Sequence, residues 1–250
     1  MQFLLTFHPT TDFSLPLSYH SIVQGTIYNI LSNNPTYSTF LHDKGFEANT
    51  HAFKLFVFSL LEGPFQVKDK NIFFTDDFTL EIRSPMQEFC NILVASLLDT
   101  DSVTFGHTQA NLVDISIRKK IITQPEIRIT TASPICLSST YYDEAEKRKT
   151  RYLQPTDPDF NHALNHNFES KLLAAENRKP YSKIECLPSL KDSATLPSNW
   201  KYLTRFANRT IIEAWRGFYT LSGDPRDLQF LYDTGLGSRN SQGFGMIRLL

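Results

Sequence analysis

The chain has 250 residues, 41% of them hydrophobic and 20% charged, with a formal net charge of -1. That is enough apolar material for one large core or two domains of roughly 125 residues each, and it excludes a disordered chain. A charge so near zero excludes a uniformly basic surface, so any nucleic-acid contact has to be local.

In chain order, "QFLLTFHP" alternates Phe3, Leu5 and Phe7 on one face and predicts a first strand. "LSYHSIVQGTIYNILSN" carries apolar pairs at helical spacing, and a short helical piece follows around "YSTFLHDKG". "KLFVFSLL" and "NIFFTDDFTLEIRS" read as strands. Ser84-Pro85-Met86-Gln87 predicts a capped helix entry into the stripe Met86, Phe89/Cys90, Leu93 and Leu97. "NLVDISIRKK" closes a β-α-β-β-α-β order, the ferredoxin-like pattern.

The second half runs through the same order. "PEIRITTASPICL" predicts a strand, and "TDPDFNHALNHNFESKLLAAEN" a helix with Phe160, Leu164, Phe168 and Leu172 in line. "YSKIECLP" and "KYLTRFANRTIIEAWRGFYTL" supply two strands, the second expected to bulge near Trp215-Gly217. "GDPRDLQFLYD" predicts a short helix capped by Asp224, and "GFGMIRLL" a last strand. The expected organisation is therefore α+β: two tandem ferredoxin-like (RRM-like) domains, residues 1–121 and 122–250, joined near Lys119–Pro125.

Three isolated cysteines, Cys90, Cys136 and Cys186, argue against a zinc or disulfide framework and read as small buried residues in a reducing compartment. The first residues lack the basic stretch of a signal peptide, and no apolar run approaches the roughly 18 residues of a membrane span. A soluble, cytoplasmic protein is expected.

"DTGLGSRNSQGFGMIRLL" places Gly235, Gly237, Gly243 and Gly245 in the pattern G-x-G-x5-G-x-G. A P-loop or dinucleotide fingerprint needs a strand before the loop and a helix after it; here the order is reversed. The bland alternative is a glycine-rich turn without chemistry. The other is a loop whose backbone lies close to an RNA strand, with Arg239, Ser238, Asn240 and Ser241 as phosphate-directed donors.

These residues carry a resemblance. "GLGSRNSQGFGMIRL" resembles the signature loop of the CRISPR-associated repeat-RNA endoribonucleases, the sixth Cas family of the RAMP superfamily. "LPLSYHSIVQGTIYNIL", "FLHDKGF" and "FKLFVFSLL" resemble, in order and spacing, its first helix, next short helix and second strand. Between roughly residues 100 and 200 only the order of elements matches. The resemblance implies a metal-independent, cofactor-free endoribonuclease cutting precursor repeat RNA into guide RNAs (crRNAs), with a 2′,3′-cyclic phosphate and a 5′-hydroxyl as products. It places His42 at the general acid-base position, Tyr28 on the family's helix tyrosine and Lys54 on its lysine. His20 is the main competitor for the acid-base role, and His51 a weaker one. It also implies a product that passes to other Cas proteins of an interference complex, and leaves a homodimer open.

The bland readings stand beside these. Tyr28 could be a half-buried core aromatic, His42 a helix C-terminal cation, and Lys54 a strand-edge gatekeeper. His162 and His166, at i and i+4, suggest a metal pair, but without an intervening glutamate a solvated helix face is the better account. The basic run Lys147, Arg148, Lys149 and Arg151 reads as a hairpin or loop that contacts RNA, and Arg118, Lys119 and Lys120 as a weaker patch. The rival function is a catalytically inactive RNA-binding subunit of a guide-RNA complex. "FLHDKGF" argues against it, since a scaffold has no need of that histidine.

Overall fold

The computed structural model describes residues 1–49, 51–142, 144, 146–190, 195–207 and 210–250, apart from the Arg148 side chain. In the N-terminal unit β1 (Gln2–Pro9) and β2 (Leu15–Pro16) lead into α1 (His20–Leu31) and α2 (Pro35–Thr39). A π-helical turn over Phe40–Lys44 precedes β3 (Phe46–Ala48), β4 (His51–Phe53) and β5 (Val57–Phe58). Then come β6 (Phe65–Lys68), β7 (Asn71–Phe74), β8 (Phe78–Arg83), α3 (Gln87–Leu98), β9 (Ser102–Phe105) and β10 (Thr108–Arg118). Among the described residues the main sheet runs β5-β8-β1-β10-β9. Without its β9 edge this is the ferredoxin-like strand order.

The C-terminal unit holds β11 (Glu126–Thr131), the hairpin β12 (Ser138–Tyr142) and β13 (Arg148–Tyr152), α4 (Phe160–Glu176) and β14 (Glu185–Pro188). It continues through β15 (Lys201–Phe206), β16 (Thr210–Trp215), β17 (Phe218–Ser222), α5 (Pro225–Thr234) and β18 (Ile247–Leu249). Its sheet, β14-β17-β11-β18, repeats the same order. Two tandem ferredoxin-like units are thus present, and the chain between β10 and β11 spans 119–125.

Phenylalanine dominates the first core. Phe78 stacks on Phe13 and Phe74 at centroid distances of 4.9 and 4.5 Å, with Phe7 and Phe105 beside it. Each such pair adds ~0.5–1.5 kcal/mol beyond its buried area. The three cysteines are free and buried, as expected.

Four local expectations are corrected. The stretch 71–84 is two strands in different sheets, because β7 pairs with β2 and β6 while β8 joins the main sheet. Of "KLFVFSLL" only Val57–Phe58 pairs, since Leu55 takes a left-handed backbone (φ 52) just before it. Helix α3 begins at Gln87 with Met86 at its N-cap and no side-chain cap there: the Ser84 hydroxyl accepts from Met86 N at 3.1 Å, ahead of the helix, and donates to Leu55 O. Residues 201–221 form the hairpin β15–β16 and then β17, rather than one bulged strand. Gly217 makes that exit with φ 136, and a Cβ there would lie 2.4 Å from the Trp200 ring.

Candidate active site

One stripe of α1 organises the site. His20, Gln24 and Tyr28 stand at i, i+4 and i+8, so their side chains project from one face. His20 Nδ1 lies 3.0 Å from Gln242 O, and the Gln24 amide donates to Ser241 O at 2.8 Å. Both reach the glycine-rich loop of the second unit. Tyr28, one turn on, turns its ring to His42 at a centroid distance of 5.5 Å in an edge-to-face pair.

The π-helical turn carries His42, and a single extra residue in a helical turn re-aims the side chains that follow. Gly45 ends this turn with φ 70; a Cβ there would lie 2.5 Å from Phe53 O and 3.0 Å from Lys54 Cδ. Glycine is required for the turn to sit against Lys54. Lys54 Nζ donates to His42 O at 2.7 Å. His42 is exposed, and its Nδ1 is 2.8 Å from Asp43 Oδ1. With Nδ1 so engaged, Nε2 is left for a ligand. The structure therefore brings Tyr28, His42 and Lys54 together, although 26 residues of chain separate the first from the last.

Burial pushes the Tyr28 hydroxyl up to about 12, so it stays protonated and can donate. Desolvation lowers the Lys54 ammonium from its ordinary range, against the pull of Asp43 and Glu47. His20 stands elsewhere. It is fully buried, lies flat between Tyr19 and Phe244, and meets the Tyr202 hydroxyl through Nε2 at 2.9 Å. Burial pulls its pKa down to about 4. It is an interdomain bolt held neutral, with no surface to offer a substrate.

That burial has a measurable consequence. The folded protein binds fewer protons at His20 than the unfolded chain, so the contribution is intact above about pH 6.5 and lost as pH falls towards 4. The full loss is ~3 kcal/mol. Urea midpoints at pH 7 and pH 5 should separate clearly in the wild type and less in His20→Gln; equal separations would refute the assignment.

The glycine loop is corrected in its reason. All four glycines are buried, and the loop's amides are spent inside the protein: Gly245 N on Pro134 O, Leu236 N on Gly245 O and Ser238 N on Cys136 O. A Cβ on Gly243 (φ 85) would lie 2.5 Å from the Phe58 ring and 2.7 Å from His20 Nδ1. Gly243 and Gly235 thus make room for side chains of the first domain, while Gly237 and Gly245 sit against Cys136 O and Leu236 O of their own unit. The loop's half-buried rim, Ser238, Arg239 and Ser241, is what faces outward.

Sequence reasoning missed Lys171. This fully buried lysine of α4 donates to Gly235 O, Gly237 O and Asn240 Oδ1 at 2.6, 3.2 and 3.0 Å, holding the loop from beneath. Desolvation brings its pKa down to about 7. At the end of an amphipathic helix turn it reads from sequence as one more surface cation, and only the fold reveals otherwise.

The basic run lies on the β12–β13 hairpin, where Lys147, Lys149 and Arg151 are exposed and Arg151 reaches Asp157 at 3.4 Å. The side chain of Arg148 lies outside the described residues. His162 and His166 are exposed on α4 and line one groove with His51 and Arg239. Among the described residues no cluster of three His, Cys, Asp or Glu side chains is placed to hold a metal, and no helix is long and apolar enough to cross a membrane.

Fold and site together define a tandem ferredoxin-like protein with a candidate site at the end of its first helix. The family model "CRISPR associated protein Cas6, C-terminal" matches residues 117–249, and "CRISPR-associated protein Cas6, N-terminal" matches residues 14–116. The chain belongs to the Cas6 family. It is 31% identical over 239 residues to the CRISPR-associated endoribonuclease Cas6 1 of Methanocaldococcus jannaschii, covering 93% of this chain and 86% of that protein. The Cas6 endoribonuclease of Pyrococcus furiosus is 25% identical over 259 residues, covering 100% of this chain and 90% of that one. A solved structure titled "CRISPR associated protein Cas6" superposes with a TM-score of 0.78 at 26% identity, covering 100% of this chain and 99% of the other. A second, "An RAMP protein binding different RNA substrates", gives 0.79 at 21%, with coverage of 100% and 99%, and shares the fold.

Proposed function

We propose that the chain is a cytoplasmic endoribonuclease that processes CRISPR repeat RNA into guide crRNAs without a metal ion. Residues 1–121 carry the chemistry and 122–250 most of the RNA grip. The observation that carries this reading is the convergence of Tyr28 and Lys54 on His42, with Lys54 Nζ held 2.7 Å from the His42 carbonyl. The nucleophile is the RNA's own 2′-hydroxyl. As its oxygen bonds to the adjacent phosphorus, the bond to the 5′-oxygen breaks, leaving a 2′,3′-cyclic phosphate and a 5′-hydroxyl.

His42 moves a proton at this step, its Nε2 being the ring nitrogen not engaged by Asp43. Lys54 supplies positive charge to the crowded phosphorane, and the Tyr28 hydroxyl donates to a phosphate oxygen. Arg239 and the hairpin cations Lys147, Arg148, Lys149 and Arg151 neutralise backbone phosphates. Partners beyond the RNA, whether Cas proteins of an interference complex or a second copy, would receive the product once it is cut.

The test is cleavage of end-labelled repeat RNA in EDTA, with end groups read by phosphatase and kinase sensitivity. Cyclic-phosphate and 5′-hydroxyl ends support the mechanism; binding without any cut would favour an RNA-binding scaffold. Lys54→Ala should lower the single-turnover rate by ~10²-fold or more. RNA affinity should change far less, as measured by filter binding.

A further inference from the structure

Beside Lys54 the two units enclose a cavity of about 330 Å³, lined by Gln24, Phe53, Lys54, Asn167, Lys171 and Arg239 among others. That is the low end of the range for small-molecule pockets, ~300–1,000 Å³, and suits a single nucleoside. Most polar groups around it are consumed by one another. Lys171 gives three hydrogen bonds to Gly235, Gly237 and Asn240. The Asn240 amide donates to Leu236 O and Phe244 O, Gln24 to Ser241 O, and Arg239 to Gln242 Oε1.

Asn167 is different. It stands on α4 at the wall shared by this cavity and the adjoining groove of His51, His162 and His166. Its Oδ1 is buried and, among the described residues, has no hydrogen-bond partner. A buried acceptor left unpaired costs ~1–3 kcal/mol, so an orphan on a cavity wall indicates a donor supplied from outside. The apolar face beside it comes from Phe53, with the His51 ring near-parallel to Phe53 at 6.3 Å. Aromatic walls of this kind hold bases by stacking.

We propose that this cavity is a nucleobase subsite for a nucleotide flanking the scissile phosphate, and that Asn167 makes it selective for adenine. The proposal rests on the endoribonuclease reading above. A carboxamide offers an acceptor beside a donor. On its Hoogsteen edge adenine alone presents an amine donor, N6, beside a ring acceptor, N7. Guanine presents two acceptors there and would leave Oδ1 facing another oxygen. Lys54 forms part of the same wall, so a base seated there brings its phosphodiester to the catalytic group. Asn167 is then a specificity-determining residue in contact with the substrate base, and takes no part in the proton transfers.

The experiment uses the full chain and an RNA bearing the repeat of the host's own CRISPR array. Once the cut is mapped, the nucleotides on either side are replaced in turn by A, G, C, U and purine riboside, which is adenine without its amine. Rates are compared for the wild type and Asn167→Ala, with Asn167→Leu as a second variant and melting curves as the check on folding. In the wild type adenine at one of the two positions should be favoured by about 10- to 100-fold, and loss of the amine should cost about tenfold or more. In Asn167→Ala both penalties should vanish, the loss of rate falling on the adenine substrate. Equal penalties in wild type and variant, or no base preference in the wild type, would overturn the proposal. If the wild type binds but does not cut, the endoribonuclease reading fails alone, and the same substitutions read as dissociation constants still decide the subsite.

Discussion

Replacing His42 by alanine is expected to lower the rate of repeat-RNA cleavage by ~10²–10⁴-fold, the range for a general acid-base group. RNA affinity should fall by less than tenfold, because an exposed imidazole contributes little to a grip spread over several phosphates. The geometry supports that separation of effects. His42 packs little of its surface against the core, so its removal leaves no cavity. Its backbone carbonyl, which holds Lys54, survives the substitution. The measurement is a single-turnover time course with saturating enzyme, beside a binding titration of the same variant. A rate within tenfold of wild type would remove His42 from the chemistry, and a rate falling only in step with affinity would make it a binding residue. The parallel variant His20→Ala should behave in the opposite sense. It removes a buried ring from the interface between the units, so the melting temperature drops while the chemistry at saturating enzyme persists below that temperature.

Much of this was legible in the chain. Alternation and helical spacing gave long elements of both units, because β1, α1, α3 and α4 each bury one regular face. The short motif "FLHDKGF" gave His42 and, with the residues after it, Lys54. Two of the features that escaped depend on a partner far away in sequence. Lys171 is silent as a lone lysine until Gly235, 64 residues on, folds over it. The glycines point to freedom of the backbone, and only the structure reveals that at Gly243 the space is taken by His20 and Phe58 of the other unit. The hairpin β15–β16 escaped because its turn contains neither glycine nor proline, so no local signal interrupted the strand pattern.

The same dependence on distant partners governs the ionic joint between the units, where the largest stability effect is expected. Glu81 and Arg83 stand at i and i+2 of β8, so both point from one face of the strand, and both are buried as an ion pair. Arg83 also donates to Ile247 O at 2.6 Å and Tyr232 O at 3.1 Å, with its guanidinium 3.8 Å above the Tyr232 ring. From the other unit Arg248 reaches Glu81 at 2.7 Å and Glu62 at 2.9 Å. One carboxylate thus serves two guanidinium groups across the joint. Removing it is worse than removing either cation, because Glu81→Leu leaves Arg83 buried with no counter-charge, whereas Arg83→Met leaves Glu81 its bond to Arg248. Glu81→Leu should therefore cost ~3–5 kcal/mol and Arg83→Met less, with melting lowered by on the order of 10 °C for the former. The double variant Glu81→Leu/Arg83→Met should recover a large part of that loss, since a buried pair replaced by apolar groups of similar volume is often close to neutral. Additive losses in the double variant, read from urea unfolding, would mean that each residue acts through separate contacts and that the joint is not ionic in origin.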